Sequence, residues 1–216
     1  MLQKVTVAMP LRWQCGTVKT TAAMLSLLLT AGVAAANHTR IDFEVRLDGR
    51  PVGTHRFEIS RRADGGEQVR SVASFDVKFL GFVAYRYRHQ ATESWVQGCL
   101  IRLQSTTDDN GRKAQVDKAL AGGCASSYAY WNLARIQQQP QLLNPQTGEL
   151  DAARIDRQAD AMLSMHGVAV PAEVYRLRND KLVIDLWYSK QGEWLQLEST
   201  AGAGRKLQYR RVAQGG

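Results

Sequence analysis

The chain has 216 residues and a formal net charge of +8, from 28 Lys and Arg against 20 Asp and Glu. Cations and acids are interspersed, with no dense basic run beyond the pairs Arg61-Arg62 and Arg210-Arg211, so the clustered cationic footprint of a nucleic-acid binder is missing. Gly-x-Ser-x-Gly, His-Glu-x-x-His and glycine-rich phosphate loops are all absent from the sequence, which removes the commonest hydrolase, metalloprotease and nucleotide-binding signatures.

Residues 1–20 carry the cations Lys4, Arg12 and Lys19 and no acid, and residues 21–33 are rich in apolar side chains, with Leu25, Leu27, Leu28 and Leu29 at the centre. Ala34-Ala35-Ala36 then supplies small residues for cleavage. That order is an export signal, and its apolar run falls short of the ~20 residues of a membrane span. The expectation is a signal peptide over residues 1–36, cleaved near Ala36, and a periplasmic or secreted domain over residues 37–216 without a transmembrane anchor.

Past the signal, apolar and charged residues alternate. Ile41, Phe43, Val45 and Leu47 interleave with Asp42, Glu44 and Arg46, which predicts a half-buried strand with one wet face. After Asp48-Gly49-Arg50-Pro51-Val52-Gly53, a second strand places His55, Phe57 and Ile59 on one face and Arg56 and Glu58 on the other. Asp64-Gly65-Gly66 marks a hairpin, and Ala73, Phe75, Val77 and Phe79 form the apolar parity of a third strand. Phe79-Leu80-Gly81-Phe82-Val83-Ala84-Tyr85 is apolar on both parities: a strand covered on both faces, or an apolar lip. Beyond it Tyr85, Tyr87, His89 and Glu93 share one parity, and Arg86, Arg88 and Gln90 the other. Asn110-Gly111 is the strongest short hairpin signal in the chain.

Gly122-Gly123 ends this meander. Ser126-Ser127 predicts the cap of a helix running through Tyr128, Trp131, Leu133, Ala134 and Ile136 to a stop at Pro140. A short strand near 153–158 and four more over 172–178, 181–189, 193–199 and 205–212 follow, separated by Asn179-Asp180, Gln191-Gly192 and Gly202-Ala203-Gly204. Roughly ten strands at this spacing predict a mainly β domain. The expected architecture is one large curved antiparallel sheet, half-barrel or barrel-like, with one short helix in the middle of the chain.

Cys15 leaves with the signal, and the remaining pair, Cys99 and Cys124, reads as one disulfide in an oxidising compartment. A metal site is not expected, because His89 lies ten positions from Cys99 and no other ligand is near in sequence. No cofactor is expected either.

On Phe43–Gly53, Lys78–Gly81, Tyr85-Arg86-Tyr87, Glu93, Asn110-Gly111, Tyr128–Asn132, Leu142–Gly148 and Leu186–Ser189, the mature chain resembles a bacterial family of exported proteins of unknown function. The resemblance spans nearly all of residues 37–216 and implies no established activity. The layout is also similar to periplasmic half-barrel carriers of lipids and lipoprotein acyl chains, which implies an apolar hollow under a lid.

The sequence therefore nominates Phe79, Phe82, Tyr85, Tyr87, Tyr128, Tyr130, Trp131 and Asn132 as a ligand-binding set, against the alternative that the rings simply fill the core. Arg86 and Arg88 are an anion-binding pair or a solvated strand face. No catalytic residue is assigned. The leading expectation is a non-catalytic binder of a lipid or other amphipathic molecule. Two alternatives are an envelope interaction module with a filled core, and an envelope hydrolase using Glu93.

Overall fold

The structure, a computed structural model, describes residues 37–213; the export signal expected over residues 1–36, with Cys15, lies outside them. The alternation read from the sequence runs directly into the backbone. Strands β1 (Asn37–Leu47), β2 (Arg50–Arg61), β3 (Gly66–Phe79), β4 (Phe82–Val96), β5 (Cys99–Asp109) and β6 (Arg112–Ala119) form an antiparallel hairpin meander. An insert follows, made of β7 (Ser126–Ser127), α1 (Leu133–Gln137), β8 (Gln141–Leu143) and β9 (Leu150–Ala152). The chain then adds β10 (Arg154–Arg157), β11 (Ala161–Met165), β12 (Val168–Arg178), β13 (Val183–Tyr188), β14 (Trp194–Ala201) and β15 (Arg205–Arg211).

Pairing of β15 with β1 joins the two halves into one 12-stranded sheet of order β10-β12-β13-β14-β15-β1-β2-β3-β4-β5-β6, with β11 on β12; β7-β8-β9 is a separate three-stranded sheet. The large sheet does not close. It is nonetheless curled: Tyr209 on β15 and Phe75 on β3 lie three strands apart, ~14 Å on a flat sheet, yet their ring centroids are 6.1 Å apart. Register shifts at Val45/Arg46, Val77/Lys78, Ser94/Trp95 and Trp187/Tyr188 provide the extra twist. Gly53 permits close strand approach, since a Cβ there would sit 1.9 Å from the Ser74 carbonyl oxygen.

The expected mainly β sheet with one short helix is met, with more strands than the roughly ten predicted. Of the additional ones, β7, β8 and β9 are too short to show a period-2 pattern, and β11 hides its alternation by carrying the apolar Met162 on its exposed parity. The helix is shorter than predicted. Ser126-Ser127 do not cap it; they pair in parallel with Leu142-Leu143, and α1 begins only at Leu133 after Asn132, whose side chain caps nothing. Residues 128–131 are held instead by tertiary contacts, for Ala129 and Trp131 are buried in the main core and the Tyr188 hydroxyl donates to the Tyr130 carbonyl at 2.8 Å.

The main core lies on the inner face, with a smaller cluster of Val45, Ala73 and Phe75 beside it. The main core gathers Phe43, Phe57, Trp95, Leu103, Leu177, Leu186, Tyr188 and Trp194 from the sheet with Trp131, Ile136, Leu142 and Leu143 from the insert. Each such side chain contributes ~1.5–3 kcal/mol on burial. The insert is pinned at three points. Cys99 and Cys124 form the expected disulfide, at a sequence separation of 25. Arg135 of α1 reaches Glu67 of β3 at 3.0 Å and lies over the rings of Trp95 and Trp131 at 4.5 and 4.6 Å. Asn179, just past the end of β12, donates to the Tyr128 hydroxyl at 2.8 Å, and that hydroxyl in turn donates to Asp151 at 2.8 Å.

The outer face is charged and cross-strand paired. Examples are Asp42 with Arg40 and Arg56, Asp117 with Arg102, and Asp185 with Arg176. Such exposed pairs contribute a fraction of a kcal/mol each; they chiefly mark which face is wet.

Candidate functional site

The inner face is not completely filled. A cavity of about 270 Å³ lies between the sheet and the insert, lined by His55, Ala73, His89, Glu93, Tyr130 and Trp194 among others. A larger cleft of about 670 Å³ adjoins it toward the turns of β1–β2, β3–β4 and β5–β6, lined by Leu47, Val52, Phe75, Val77, Tyr85 and Arg205 among others. Tyr87, Gln146, Leu207 and Tyr209 line both spaces. The insert contributes Gln146 through the 144–149 loop, whose Pro145 carbonyl accepts from the Ser105 hydroxyl.

Alternation alone delivers the polar groups to this interior. On β4, Tyr87, His89, Ala91, Glu93 and Trp95 point inward while Arg86, Arg88 and Gln90 point outward. Register then aligns a row across the sheet: Phe43, His55, Ala73, His89 and Thr107 occupy paired positions on β1 to β5. The two histidines therefore flank Ala73, the smallest side chain of the row. His89 Nδ1 shares a 2.8 Å hydrogen bond with the Thr107 hydroxyl. His55 differs: both its ring nitrogens are out of reach of solvent and neither has a partner. Its ring is held by aromatic contact alone, 4.2 Å from Phe57 and 5.6 Å from Tyr209 between centroids.

Burial governs the charge state of all three groups. It drives the His55 imidazole down to about 3, with repulsion from His89 adding to the shift, and drives His89 down to about 4. Both rings are neutral at pH 7, so neither attracts an anion. Burial pushes the Glu93 carboxyl up to about 7, against the opposing pull of its hydrogen bonds and of Arg135. Trp95 Nε1 donates to Glu93 at 3.1 Å, while the Ser127 hydroxyl faces the carboxyl without a complete hydrogen bond. Chemically, the cavity is an aromatic chamber with one free neutral donor–acceptor and one carboxyl that titrates near neutrality.

Of the nominated ligand set, Tyr87, Tyr128, Tyr130 and Trp131 line the smaller cavity, and Tyr85 and Tyr87 line the larger cleft. The Tyr85 hydroxyl donates to Asp109 at 2.6 Å, and burial with that carboxylate raises it to about 12. Asn132 lines neither space. Phe79 and Phe82 stand apart from both, exposed at the β3–β4 turn, so the both-parity apolar stretch is a lip rather than a doubly covered strand. Arg86 and Arg88 lie on the outer face and pair with Asp76 at 3.3 and 2.8 Å; Arg88, with Arg86, holds that carboxyl below its ordinary value. Among the described residues no group of three or more metal-ligating side chains converges.

The sequence reading passed over His55, Phe75, Leu207 and Tyr209 as site residues. His55 carried a usable signal, an ionisable side chain on the same parity as Phe57 and Ile59. Tyr209 carried none, because its role comes from β15 pairing with β1 across most of the chain length.

A family model described as "Domain of unknown function (DUF6134)" matches residues 43–212. The chain belongs to this family. The matched span runs from β1 to the end of β15 and so contains both spaces and the insert. No curated protein matches the chain. Among solved structures, it is similar to a beta-barrel-like protein of the domain-of-unknown-function family DUF1849 from Brucella abortus, with 11% identity, a TM-score of 0.50, and coverage of 82% of this chain and 96% of that one. At that identity the likeness concerns the fold: an open, curled, barrel-like sheet.

Proposed function

We propose that this protein is a non-catalytic binder of a lipid or other amphipathic molecule, acting in the periplasm after export. The observation that carries the reading is His55, an imidazole with two unpartnered nitrogens inside an aromatic cavity that adjoins a larger apolar cleft. Buried polar atoms nearly always have partners, and an exception calls for one that is not protein. The volumes of about 270 and 670 Å³ fall around the range of ligand sites, which are apolar with a few polar groups that fix orientation. Burial keeps His55 neutral, so it offers one hydrogen-bond donor and one acceptor to a polar group such as a hydroxyl or ester carbonyl, with the apolar portion of the ligand in the cleft past Tyr87 and Tyr209. The disulfide suits an oxidising compartment. The two spaces in the core argue against the filled-core module.

The test is native mass spectrometry of residues 37–216 purified from the periplasm, followed by lipid extraction and titration with the neutral apolar probe 1-N-phenylnaphthylamine. A discrete copurifying lipid mass is expected. Ala73→Trp, which fills the space between His55 and His89, weakens probe binding by about tenfold, the equivalent of 1.4 kcal/mol. A clean apo mass, with no uptake from a lipid extract, would remove the proposal.

A further inference from the structure

Five two-residue turns share one backbone geometry, each with an X-Gly pair in which both residues have positive φ. They are Asp48-Gly49, Leu80-Gly81, Gln97-Gly98, Asn110-Gly111 and His166-Gly167, with φ at the first position of 50°, 51°, 49°, 53° and 50°. Four of them place a polar residue there. The left-handed region favours Asn, Asp and Gly and penalises bulky side chains, and type I′ hairpin turns carry the same preference. The β3–β4 turn alone carries leucine.

That leucine tops an apolar cluster with nothing over it. Phe79 is 68% exposed, Leu80 81%, Phe82 79% and Val83 44%. Phe79 and Phe82 are directly paired across the hairpin. The hairpin also runs past its pairing with β2 and β5. Pairing of β2 with β3 reaches Phe75 and goes no further, and pairing of β5 with β4 stops at Tyr87, apart from backbone contacts of the Asn110 turn with Arg86. Residues 76–86 therefore pair only with each other, as a two-stranded ribbon, and the tip lies ~13 Å past the last β2–β3 pair, with Arg50–Gly53 of β2 facing Asp76–Lys78 across a cleft. A register shift at Val77/Lys78 marks its base, the kind of bulge that re-aims a strand.

The surroundings of the ribbon are cationic. Lys78 is exposed within it. At the same end of the sheet Arg112, Arg205 and Lys206 pair with Asp109, Asp48 and Glu198, and Asp76 is shared by Arg86 and Arg88, while Lys78, Arg50 and Lys113 are left as the surplus positive charge against Asp108. Apolar side chains at a hairpin tip, ringed by excess positive charge, match a bilayer surface that presents acyl chains beneath anionic headgroups. We propose that the β3–β4 ribbon docks the protein on an anionic lipid bilayer, with Phe79, Leu80 and Phe82 entering the interface and Lys78 and its basic neighbours meeting the headgroups. Val77 and Tyr85 at the ribbon's base line the larger cleft, so docking sets the mouth of that cleft against the bilayer. Bilayer contact itself needs no ligand in the cavity, and it stands or falls separately from lipid binding there.

The experiment is cosedimentation of residues 37–216 with sucrose-loaded vesicles, either of phosphatidylcholine alone or with about one third phosphatidylglycerol, at low and high salt. Wild type is expected to bind the anionic vesicles, less so at high salt. Leu80→Asn with Phe82→Ser loses at least about tenfold in partitioning, whereas Ala73→Trp retains it. Asn suits the left-handed position, so the double variant keeps its fold, which an unchanged melting temperature verifies. As a second readout, Phe82→Trp adds an emission quenched by brominated acyl chains in anionic vesicles. Equal partitioning of wild type and the double variant would overturn the proposal. So would absence of binding, or a concentration-dependent dimer that the double variant dissociates, which would make the ribbon a self-association surface.

Discussion

The β3–β4 hairpin passes through two unlike environments. At its base, Glu67, Glu93 and Trp95 are buried beneath the insert, and Arg135 spans from α1 to close the contact. At its far end, Phe79 and Phe82 meet across the same two strands and stay in solvent. The strand pairing is continuous, so the difference lies in what covers each part. At the base a carboxylate is buried because the insert brings a guanidinium, Arg135, and an indole, Trp131, over Trp95 of β4. At the tip, phenyl rings are exposed because neither β2 nor β5 pairs with that part of the hairpin. Burial here follows the reach of neighbouring elements more than the polarity of the side chain.

The sharpest way to break the contrast is to remove the guanidinium at the base. Arg135→Ala leaves Glu67 buried with only the more exposed Arg61, at 3.1 Å, as a partner. Loss of one member of a buried pair costs ~3–5 kcal/mol. Urea unfolding should show that fall, whereas Arg86→Ala on the wet face should change stability by less than about 1 kcal/mol.

Next in size is the pH response of the interior. His55 and His89 titrate at about 3 and 4 when folded, below the unfolded value near 6.5. The unfolded chain therefore takes up protons first, and the stability these residues carry is complete above pH 6.5 and lost as pH falls toward 4. The loss is roughly 2 kcal/mol per histidine by pH 5. Glu93 opposes this. Its folded value is raised to about 7, so the folded state binds the proton more tightly, and stability falls as pH rises from about 4.5 to 7. With two groups against one, the urea midpoint should rise with pH between about 4.5 and 6.5. Glu93→Gln should steepen that rise and His55→Phe should flatten it. A slope unchanged in both variants would mean that these side chains are not buried as described.

The smallest effect belongs to the tip. Leu80→Asn relieves a bulky residue at φ 51°, where the left-handed conformation costs ~1–2 kcal/mol. Stability should rise by up to about 1 kcal/mol in thermal unfolding, the direction opposite to that of a buried leucine.

Much of this architecture was legible in the sequence. The period-2 pattern of Ile41–Leu47 and Tyr85–Glu93 assigned inward and outward faces correctly, because successive strand side chains point to opposite sides. Asn110-Gly111 and Asp64-Gly65-Gly66 placed turns, because few residues accept positive φ. The pairing of Cys99 with Cys124 followed from an expected oxidising compartment, with Cys15 assigned to the expected export signal. Other features had no such local cause. Ser126-Ser127 looked like a helix cap and became a strand, because Leu142-Leu143 offered backbone partners at a distance of sixteen residues. Arg86 and Arg88 read as an anion-binding pair or a solvated strand face, and only the fold showed Asp76 as their partner across the hairpin.

The division follows from the range of the forces involved. Strand direction, turn position and side-chain parity are set by dihedral preferences and steric periodicity within a few residues, and the chain by itself determined them. Which inward positions are filled and which are hollow depends on curl, on register across β15, β1, β2 and β3, and on where the insert comes to rest. Tertiary structure alone brought Tyr209 against His55 and Phe75, left the His55 nitrogens without partners, and let the β3–β4 ribbon run past its pairing with β2 and β5. Each of those outcomes is a sum over contacts between residues far apart in the chain, and no local pattern encodes such a sum.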